Sequence, residues 1–370
     1  MSTKRVQLPD FPWDALASYG VKARTHHDGI VDLSVGTPVD PVSEGIQAAL
    51  SSVSELSGYP ATHGTPALRD AAVGALVRRH GVTGLDPEAV LPTIGSKELV
   101  AWLPQLLGFG AGDVVVIPEL AYPTYEVGAL LAGATVVRSD VPFADVVEPH
   151  STQPSMIWLN SPSNPTGRVL PLDQMRAVVA WARERDIVVV SDECYLGLGW
   201  ETEPVSLLHP SVHAGRLEGL LAVHSLSKSA NLAGYRAGFV TGDPRLVAGL
   251  LEVRKHAGMI VPRPVQEAMT AALGDDEALV LQRERYSARR SVLRKAIEDK
   301  GFSIEHSEAG LYLWATRGEE CWSTVDWFAE RGILVAPGIF YGPSGAQFVR
   351  IALTATDERI QAAAERLAAG

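Results

Sequence analysis

The stretch LLAVHSLSKSANLAGYRAGF, which runs from Leu220 to Phe239, predicts more about this chain than any other segment. Lys228 follows an apolar run that is typical of a buried strand, and it lies beside the hydroxyls of Ser225 and Ser227. A lysine in such a place is well suited to form a Schiff base with a carbonyl compound. The serine hydroxyls and Arg236, eight residues further on, suit a phosphate dianion. An aldehyde and a phosphate in one ligand indicate pyridoxal 5'-phosphate (PLP).

Taken alone, this pattern also describes an ordinary surface lysine after a strand, so other segments are needed to distinguish a cofactor-binding lysine from a surface lysine. Between residues 91 and 242, short β-branched runs alternate with helical patterns. The predicted strands are Asp113–Ile117, Ala134–Arg138, Ser155–Leu159, Ile187–Ser191, Leu220–His224 and Ala237–Thr241. The predicted helices among them are Lys97–Leu107, Tyr125–Leu131, Leu172–Glu184 and Pro244–His256. This alternation predicts an α/β fold with a mostly parallel central sheet between helices.

After about residue 261 the pattern changes to longer helices and a few short strands, which predicts a smaller α+β domain. Its predicted elements are the helices Tyr286–Asp299 and Asp357–Ala368 and the strands Leu311–Ala315, Ile333–Ala336 and Phe348–Leu353. We expect the N-terminal segment to pack on that domain. The predicted large PLP-binding domain therefore covers residues 45–260, and the small domain combines residues 1–44 with residues 261–370.

Polar residues follow three of the predicted buried strands. In parallel sheets ligands bind beyond the carboxyl ends of the strands, so one ligand could touch Asn164, Asp192 and Lys228. A buried carboxylate needs a partner, and a protonated pyridine nitrogen suits Asp192, although a helix N-cap is the alternative. Asn164 and Tyr195 could hydrogen-bond the phenolic oxygen of the cofactor. An ordinary turn or a half-buried tyrosine would explain either residue alone.

Two further segments complete the predicted cofactor site. Ser96 and Lys97 open a helix after the apolar run Val90–Ile94, where backbone N–H groups can bind phosphate, although a simple N-cap is also possible. Tyr122, in PELAYPTYE, follows a strand and could stack on the pyridine ring, but a tyrosine beside a proline is common in turns.

A carboxylate site is predicted near the C-terminal end of the chain. Arg350 interrupts the apolar strand QFVRIALTA, and an inward-facing guanidinium matches an α-carboxylate with two hydrogen bonds. At a sheet edge the same arginine would reach water instead. Gly36, in VDLSVGTPVDP, could bring a backbone N–H to the same carboxylate, or form a tight turn.

Composition excludes several classes of protein. The 370 residues carry a formal net charge of −11, which is unusual for a nucleic-acid-binding protein. The two cysteines, Cys194 and Cys321, lie far apart, and no spacing typical of a metal site occurs, so we expect a reducing compartment and no metal. The start, MSTKRVQLPDFPWDAL, lacks the apolar region of a signal peptide, and no apolar run is long enough for a membrane span. We therefore expect a cytoplasmic protein.

Five residues occur in an order and spacing that resemble the class I/II aminotransferases of PLP fold type I. Asp192 lies 28 residues after Asn164, Lys228 lies 36 residues after Asp192, and Arg236 follows eight residues later, with Tyr195 between Asp192 and Lys228. The resemblance extends from about residue 36 to residue 353. It implies that Lys228 binds the cofactor and moves the substrate proton, and that the protein is a homodimer with shared sites.

The resemblance also implies a role for each remaining candidate. On the cofactor ring, Asp192 is implied to contact the pyridine nitrogen, Asn164 and Tyr195 the phenolic oxygen, and Tyr122 the ring face. The residues implied to contact the phosphate are Ser96, Lys97, Ser225, Ser227 and Arg236, together with Tyr59 from the neighbouring subunit. The residues implied to contact the substrate are Gly36, Asn164 and Arg350.

Longer stretches resemble the actinobacterial N-succinyldiaminopimelate aminotransferases more closely. They include IVDLSVGTPVDP, WLNSPSNPTGRVL, SDECYLGLGW and VRKHAGMIVPRPVQ. This resemblance implies exchange of an amino group between glutamate and N-succinyl-2-amino-6-oxopimelate, a step of lysine and diaminopimelate synthesis. It also implies that Lys97 faces a carboxylate of the substrate, with a phosphate-side or solvent position as the alternative.

Other functions stay open at this point. Within enzymes the alternatives are an aminotransferase for aspartate, prephenate or aromatic substrates, and a fold type I C–S lyase. A PLP-binding transcriptional regulator would need a DNA-binding domain ahead of the core, and about 35 residues before Gly36 are too few for one.

Overall fold

The computed structural model describes residues 7–140 and 153–369. Residues 1–6 and 370 of the predicted small domain, and residues 141–152 of the predicted large domain, lie outside the described residues. The strands, in chain order, are β1 Val31–Asp32, β2 Val90–Ile94, β3 Val114–Ile117, β4 Thr135–Arg138, β5 Met156–Asn160, β6 Val188–Asp192, β7 Leu220–Ser225, β8 Ala237–Gly242, β9 Ser303–Ile304, β10 Tyr312–Thr316, β11 Ile333–Leu334, β12 Ala336–Pro337 and β13 Val349–Ala352.

Helices surround these strands. The described α-helices are Ala17–Arg24, Glu44–Ser51, Pro66–His80, Ser96–Leu106, Thr124–Ala132, Leu172–Arg183, Pro210–His213, Pro244–Ala257, Arg263–Gly274, Asp276–Glu298, Cys321–Glu330 and Asp357–Ala369. No helix within the described ranges is both long and apolar enough to cross a bilayer.

A seven-stranded sheet forms the centre of the molecule, in the order β2-β8-β7-β6-β5-β3-β4. Strands β3 to β7 run parallel to one another, and β8 runs antiparallel to both β7 and β2. Runs such as the VVVI of β3 are buried throughout because helices cover both faces of the sheet. The six predicted strands are therefore confirmed to within two residues, and so is the α/β class.

A second, smaller sheet has the order β12-β13-β10-β9 and is antiparallel throughout. Beside it, β1 pairs in parallel with β11, so that Val31 lies opposite Ile333. Through this pairing the N-terminal segment packs on the C-terminal part of the chain. The predicted strand Ile333–Ala336 is two short strands, because its first residues pair with β1 and its last residue pairs with β13.

One helix begins earlier than the sequence predicts, and several helices have no predicted counterpart, among them Arg263–Gly274. The helix predicted to begin at Tyr286 begins at Asp276, where the side chain of Asp275 caps it by accepting the N–H of Ala278 at 2.9 Å. The helix Arg263–Gly274 was not predicted, and its buried residues belong to the same core as the large sheet. The division at residue 260 remains a prediction, and this packing favours a boundary after that helix.

Candidate active site

A cavity of about 420 Å³ opens at the carboxyl ends of β5, β6 and β7. Twelve of the thirteen residues predicted from the sequence line it. They are Gly36, Ser96, Lys97, Tyr122, Asn164, Asp192, Tyr195, Ser225, Ser227, Lys228, Arg236 and Arg350. Because parallel strands end at the same edge of the sheet, side chains that are far apart in sequence meet here.

Lys228 lies three residues beyond the end of β7 and is half-buried. Its ammonium group donates a short hydrogen bond to the carbonyl oxygen of Gly36, and its own carbonyl accepts one from the hydroxyl of Tyr286 at 3.2 Å. Burial lowers the pKa of Lys228. A lysine with a lowered pKa loses its proton more readily and becomes a better nucleophile toward an aldehyde.

Asp192 is the last residue of β6 and is buried. Its Oδ2 accepts a hydrogen bond of 2.8 Å from the hydroxyl of Tyr125, and its Oδ1 accepts one of 3.1 Å from the backbone N–H of Cys194. Burial raises the pKa of Asp192, and among the described residues no cationic side chain is paired with it. The carboxylate is therefore oriented by two donors toward a cavity in which a cation would stabilise its charge.

Arg350 lies on β13 and is 3% exposed, so the alternative in which it reaches water is wrong. Its Nη1 donates to Oδ1 of Asn164 at 2.9 Å, and its Nη2 donates to the carbonyl of Ser34 at 2.6 Å. The guanidinium also stacks on the ring of Tyr312, 3.9 Å from its centroid. A planar cation held in this way presents a fixed binding group for a carboxylate.

Backbone N–H groups and hydroxyls line the opposite part of the cavity. The helix Ser96–Leu106 begins there, directly after Gly95, whose φ is +74°. A Cβ at Gly95 would lie 2.3 Å from Nη2 of Arg236, so only glycine allows that guanidinium to lie against the helix start. Ser225 and Ser227 complete the wall. This combination of a helix N-terminus, hydroxyls and an arginine suits a phosphate group.

Aromatic rings form much of the remaining surface. Tyr122 lines the cavity and meets Tyr125 edge to face at 5.7 Å. Burial raises the pKa of Tyr122 to about 12, so its hydroxyl stays protonated. The hydroxyls of Tyr195 and Tyr312 share a hydrogen bond of 3.2 Å. Gly36 has to be glycine, because a Cβ there would lie 2.3 Å from the hydroxyl of Tyr312.

Several lining residues were missed by the sequence analysis. They are Phe11, Trp13, Val35, Tyr125, Asn160, Cys194, Ala233 and Tyr312. One of them left a signal in the sequence, since Tyr125 follows Tyr122 by three residues, the spacing that places two side chains on one side of a helical turn. Asn160 left another, because it directly follows the predicted strand Ser155–Leu159, and the remaining residues meet the cavity through tertiary contacts that no local pattern encodes.

Tyr59 and one surface cluster lie apart from the cavity lining. Tyr59 is 99% exposed, so within one chain it contacts none of the predicted site residues. A group with metal-ligand geometry occurs in the described part of the chain at His26, His27 and Asp28, on the surface. No metal ligand was predicted there, and the group does not line the cavity.

The residues of the cavity fit PLP. The carboxylate of Asp192 faces the cavity without a cationic partner among the described residues and matches a pyridinium nitrogen. The amine of Lys228 matches the aldehyde, and the helix start with Arg236 matches the phosphate. The absence of a side chain at Gly95 leaves room for this arrangement.

The fold is of the α/β class and the cavity has the chemistry of an enzyme site, and comparison with known proteins identifies the family. The model of the family "Aminotransferase class I and II" matches residues 28–367. The chain belongs to the class I and II aminotransferases. Enzymes of this family depend on PLP and act on amino acids and keto acids.

Individual relatives carry different names. A probable aminotransferase of Mycobacterium tuberculosis is 63% identical over 97% of this chain and 85% of its own length. The 4-dedimethylamino-4-oxo-anhydrotetracycline transaminase OxyQ of Streptomyces rimosus is 57% identical over 98% of this chain and 99% of its own. The solved structure of a probable N-succinyldiaminopimelate aminotransferase from Thermus thermophilus has a TM-score of 0.85 at 28% identity, covering 96% of this chain and 99% of that one.

Proposed function

We propose that this aminotransferase binds PLP through Lys228 and exchanges an amino group between glutamate and N-succinyl-2-amino-6-oxopimelate. The observation that carries the substrate assignment is the pair of cationic side chains, Arg350 and Lys97, that line one cavity with Lys228. The substrates proposed here carry an α-carboxylate and at least one more carboxylate. Two separate cations therefore suit them better than they suit monocarboxylic amino acids.

Lys97 supports this assignment because it lines the cavity from an exposed position and forms no ion pair with any described residue. Its ammonium group lies 5.7 Å from the ring centroid of Phe11, at the wall of the cavity. A cation in this position gains a hydrogen-bonded partner when a substrate carboxylate enters. The resemblance of the chain to a probable N-succinyldiaminopimelate aminotransferase supports the same substrate class.

Each residue then has a defined task. When bound, PLP supplies an aldehyde that bonds to an amine and a ring that draws electrons from the substrate α-carbon. Arg350 binds the α-carboxylate and so orients the α-carbon toward Nζ of Lys228. That nitrogen removes the α-proton, which it can do because burial lowers its pKa. Asp192 holds the ring nitrogen in its protonated form, and Asn164 and Tyr195 donate to the phenolic oxygen.

The proposal includes a homodimer in which Tyr59 of each chain reaches the phosphate site of the other. The nearly complete exposure of this large side chain supports the assignment, because no residue in the described part of a lone chain covers its ring. Such a dimer has two sites, and each site contains residues from both chains.

A substrate panel tests the assignment. The PLP-loaded protein is mixed with glutamate and one keto acid at a time, and 2-oxoglutarate is measured. We expect the fastest turnover with N-succinyl-2-amino-6-oxopimelate. Lys97→Met should raise KM for that substrate roughly tenfold through the loss of a charge-assisted hydrogen bond, and should leave KM for the monocarboxylic keto acid pyruvate unchanged. The control Arg350→Lys should raise KM for every amino acid, because a lysine cannot form the paired hydrogen bonds.

Other outcomes would assign a different substrate or reaction to this enzyme without changing its family. Faster turnover with oxaloacetate, prephenate or an aromatic keto acid would assign one of those substrates. Release of pyruvate and ammonia from a thioether amino acid would indicate a C–S lyase. The 57% identity with a transaminase named for an anhydrotetracycline ketone favours a polycyclic ketone as the second candidate acceptor, so such a ketone belongs in the panel.

A further inference from the structure

A buried acid–base pair lies next to the cofactor cavity, one residue beyond Asp192. Successive residues of an extended strand point to opposite faces, so Glu193 points away from the face that Asp192 presents to the cavity. His224 occupies the adjacent position on β7. Glu193 Oε2 and His224 Nε2 lie 3.8 Å apart, and both side chains are buried. Neither atom has a hydrogen-bond partner among the described residues.

Other contacts fix both side chains in place. The second oxygen of Glu193, Oε1, accepts the backbone N–H of Leu207 at 2.7 Å. The His224 ring stacks on Phe239 with centroids 4.8 Å apart. The gap of 3.8 Å between Glu193 Oε2 and His224 Nε2 is too long for a hydrogen bond, so a shared proton requires the two atoms to approach each other more closely. The two side chains are therefore close to each other but do not form a hydrogen bond.

A small cavity of about 60 Å³ is lined by Glu193 and His224. Cys194 and Ser225 line both this cavity and the cofactor cavity, so they form a wall between the two. The titratable groups of the small cavity are thus separated from the cofactor site by a single layer of side chains.

The charge state of the pair follows from its burial. Burial raises the pKa of Glu193 to about 7 and lowers the pKa of His224 to about 3. Between these two values both groups are mostly uncharged, and the contact is an acid–base pair rather than an ion pair. Among the described residues, the other titratable groups that face it are Cys194, Asp192, which raises the pKa of Glu193, His80, which lowers the pKa of His224, and Arg79, which is paired with Asp276.

We propose that Glu193 and His224 share one proton and together position the carboxylate of Asp192. The main chain connects the pair to the carboxylate of Asp192. The N–H of Glu193 donates to the carbonyl of Val223 at 2.9 Å, and the N–H of Cys194 donates to Asp192 Oδ1 at 3.1 Å. A displaced Glu193 side chain would move that second donor. Loss of the shared proton would also add a negative charge beside Asp192. This inference rests on the proposed role of Asp192 toward PLP.

The shared proton is tested by the variant Glu193→Gln, whose amide still accepts from Leu207 and can donate to His224 but cannot ionise. The melting temperatures of the cofactor-free variant and wild type are compared between about pH 5 and pH 8. The raised pKa of Glu193 makes its contribution to wild-type stability fall as pH rises toward 7. The melting temperature of the variant, relative to that of the wild type, should therefore increase as the pH rises. A difference that is constant across this range would overturn the shared proton.

The positioning role is tested by the dissociation constant of PLP, measured by absorbance titration of the cofactor-free protein. Glu193→Leu and His224→Phe should each weaken binding roughly tenfold, because each removes one member of the pair that positions Asp192, and Glu193→Leu also leaves the N–H of Leu207 without its acceptor. Glu193→Gln should stay within about twofold of wild type at about pH 6, since its hydrogen bonds remain. Unchanged affinity in a folded Glu193→Leu protein would overturn the role. If the wild type takes up no PLP, the proposed function fails instead, and the pH series still decides whether the proton is shared.

Discussion

At the residue scale, the site depends on charged groups that are buried with only part of their possible partners. Lys228, Asp192 and Arg350 could be predicted from the sequence because each interrupts or follows an apolar run where a charge is costly. Tyr125 could not be assigned to Asp192 in the same way. Its contact depends on the angle at which the helix Thr124–Ala132 crosses the sheet, and no local pattern encodes that angle.

The charge of Asp192 should matter more than either of its hydrogen bonds. Asp192→Asn keeps the size of the side chain and removes the charge, and we expect kcat/KM for glutamate to fall by about a hundredfold or more. Tyr125→Phe removes one hydrogen bond of 2.8 Å and keeps the ring stacked on Trp158, so we expect a loss of roughly tenfold.

A pH profile separates these two effects. The hydrogen bond from Tyr125 lowers the pKa of Asp192, in opposition to burial, so Tyr125→Phe should raise that pKa. The acidic limb of the pH–rate profile should then move to higher pH in Tyr125→Phe. Nearly full activity of Asp192→Asn at any pH would show that no charge is needed at this position.

At the element scale, the strands of the large sheet could be predicted because buried parallel strands are short, continuous apolar runs. The strands β1, β9, β11 and β12 have two residues each and are defined by their pairing partners, so the sequence does not mark them as separate strands. The helix Arg263–Gly274 has a proline in its first turn, a position that proline favours, so the sequence carried a start signal for this helix that the prediction did not use.

An ionic cluster centred on the buried Arg289 joins three segments of the chain. Arg289, on the helix Asp276–Glu298, is buried, and its two terminal nitrogens donate to the carboxylate oxygens of Asp40 at 2.8 and 2.6 Å. Its Nε donates to Asp357, at the start of the last helix, at 2.6 Å. Burial opposes ionisation of Asp40, but the hydrogen bonds from Arg289 and Gln282 and the positive charges of Arg289 and Arg285 together lower the pKa of Asp40.

Arg289→Met should therefore destabilise the fold by about 3 to 5 kcal/mol, because it leaves the carboxylate of Asp40 buried without its cation. Urea unfolding at about pH 7 measures the loss. The matched control is Lys295→Ala on the same helix, where an exposed pair with Asp299 contributes little to stability. Because the pKa of Asp40 is lowered in the folded protein, the wild-type advantage should shrink as pH falls through that pKa. Equal losses of unfolding free energy in the two variants would contradict a structural role for the cluster around Arg289.

At the scale of the whole molecule, the site combines residues from both sheets and from the N-terminal segment. Strand β13 of the small sheet provides Arg350, and Gly36 comes from the segment after β1. In the large sheet, Asp192 ends strand β6, and Lys228 follows strand β7. The order of residues along the chain indicated that they belong to one site. The role of Tyr59 could not be derived in this way, because a partner chain leaves no periodic signal in the sequence.

The proposed shared site predicts complementation between two inactive variants. Lys228→Ala and Tyr59→Ala homodimers should each have little activity. A heterodimer of the two contains one site with both native residues, Lys228 from one chain and Tyr59 from the other. Mixed dimers purified through two affinity tags should therefore regain activity up to about half that of wild type, because one of the two symmetric sites is restored. Mixed dimers without regained activity would contradict the shared site.

Covalent attachment of the cofactor to Lys228 underlies every step proposed for this enzyme, and reductive trapping measures it. The protein is saturated with PLP, reduced with borohydride, digested and examined by mass spectrometry, with Lys228→Ala as the control. We predict that the cofactor is recovered on the peptide that contains Lys228 and on no peptide of the variant. Recovery of the cofactor on another lysine, such as Lys97, or on no peptide of the saturated wild type, would contradict attachment at Lys228.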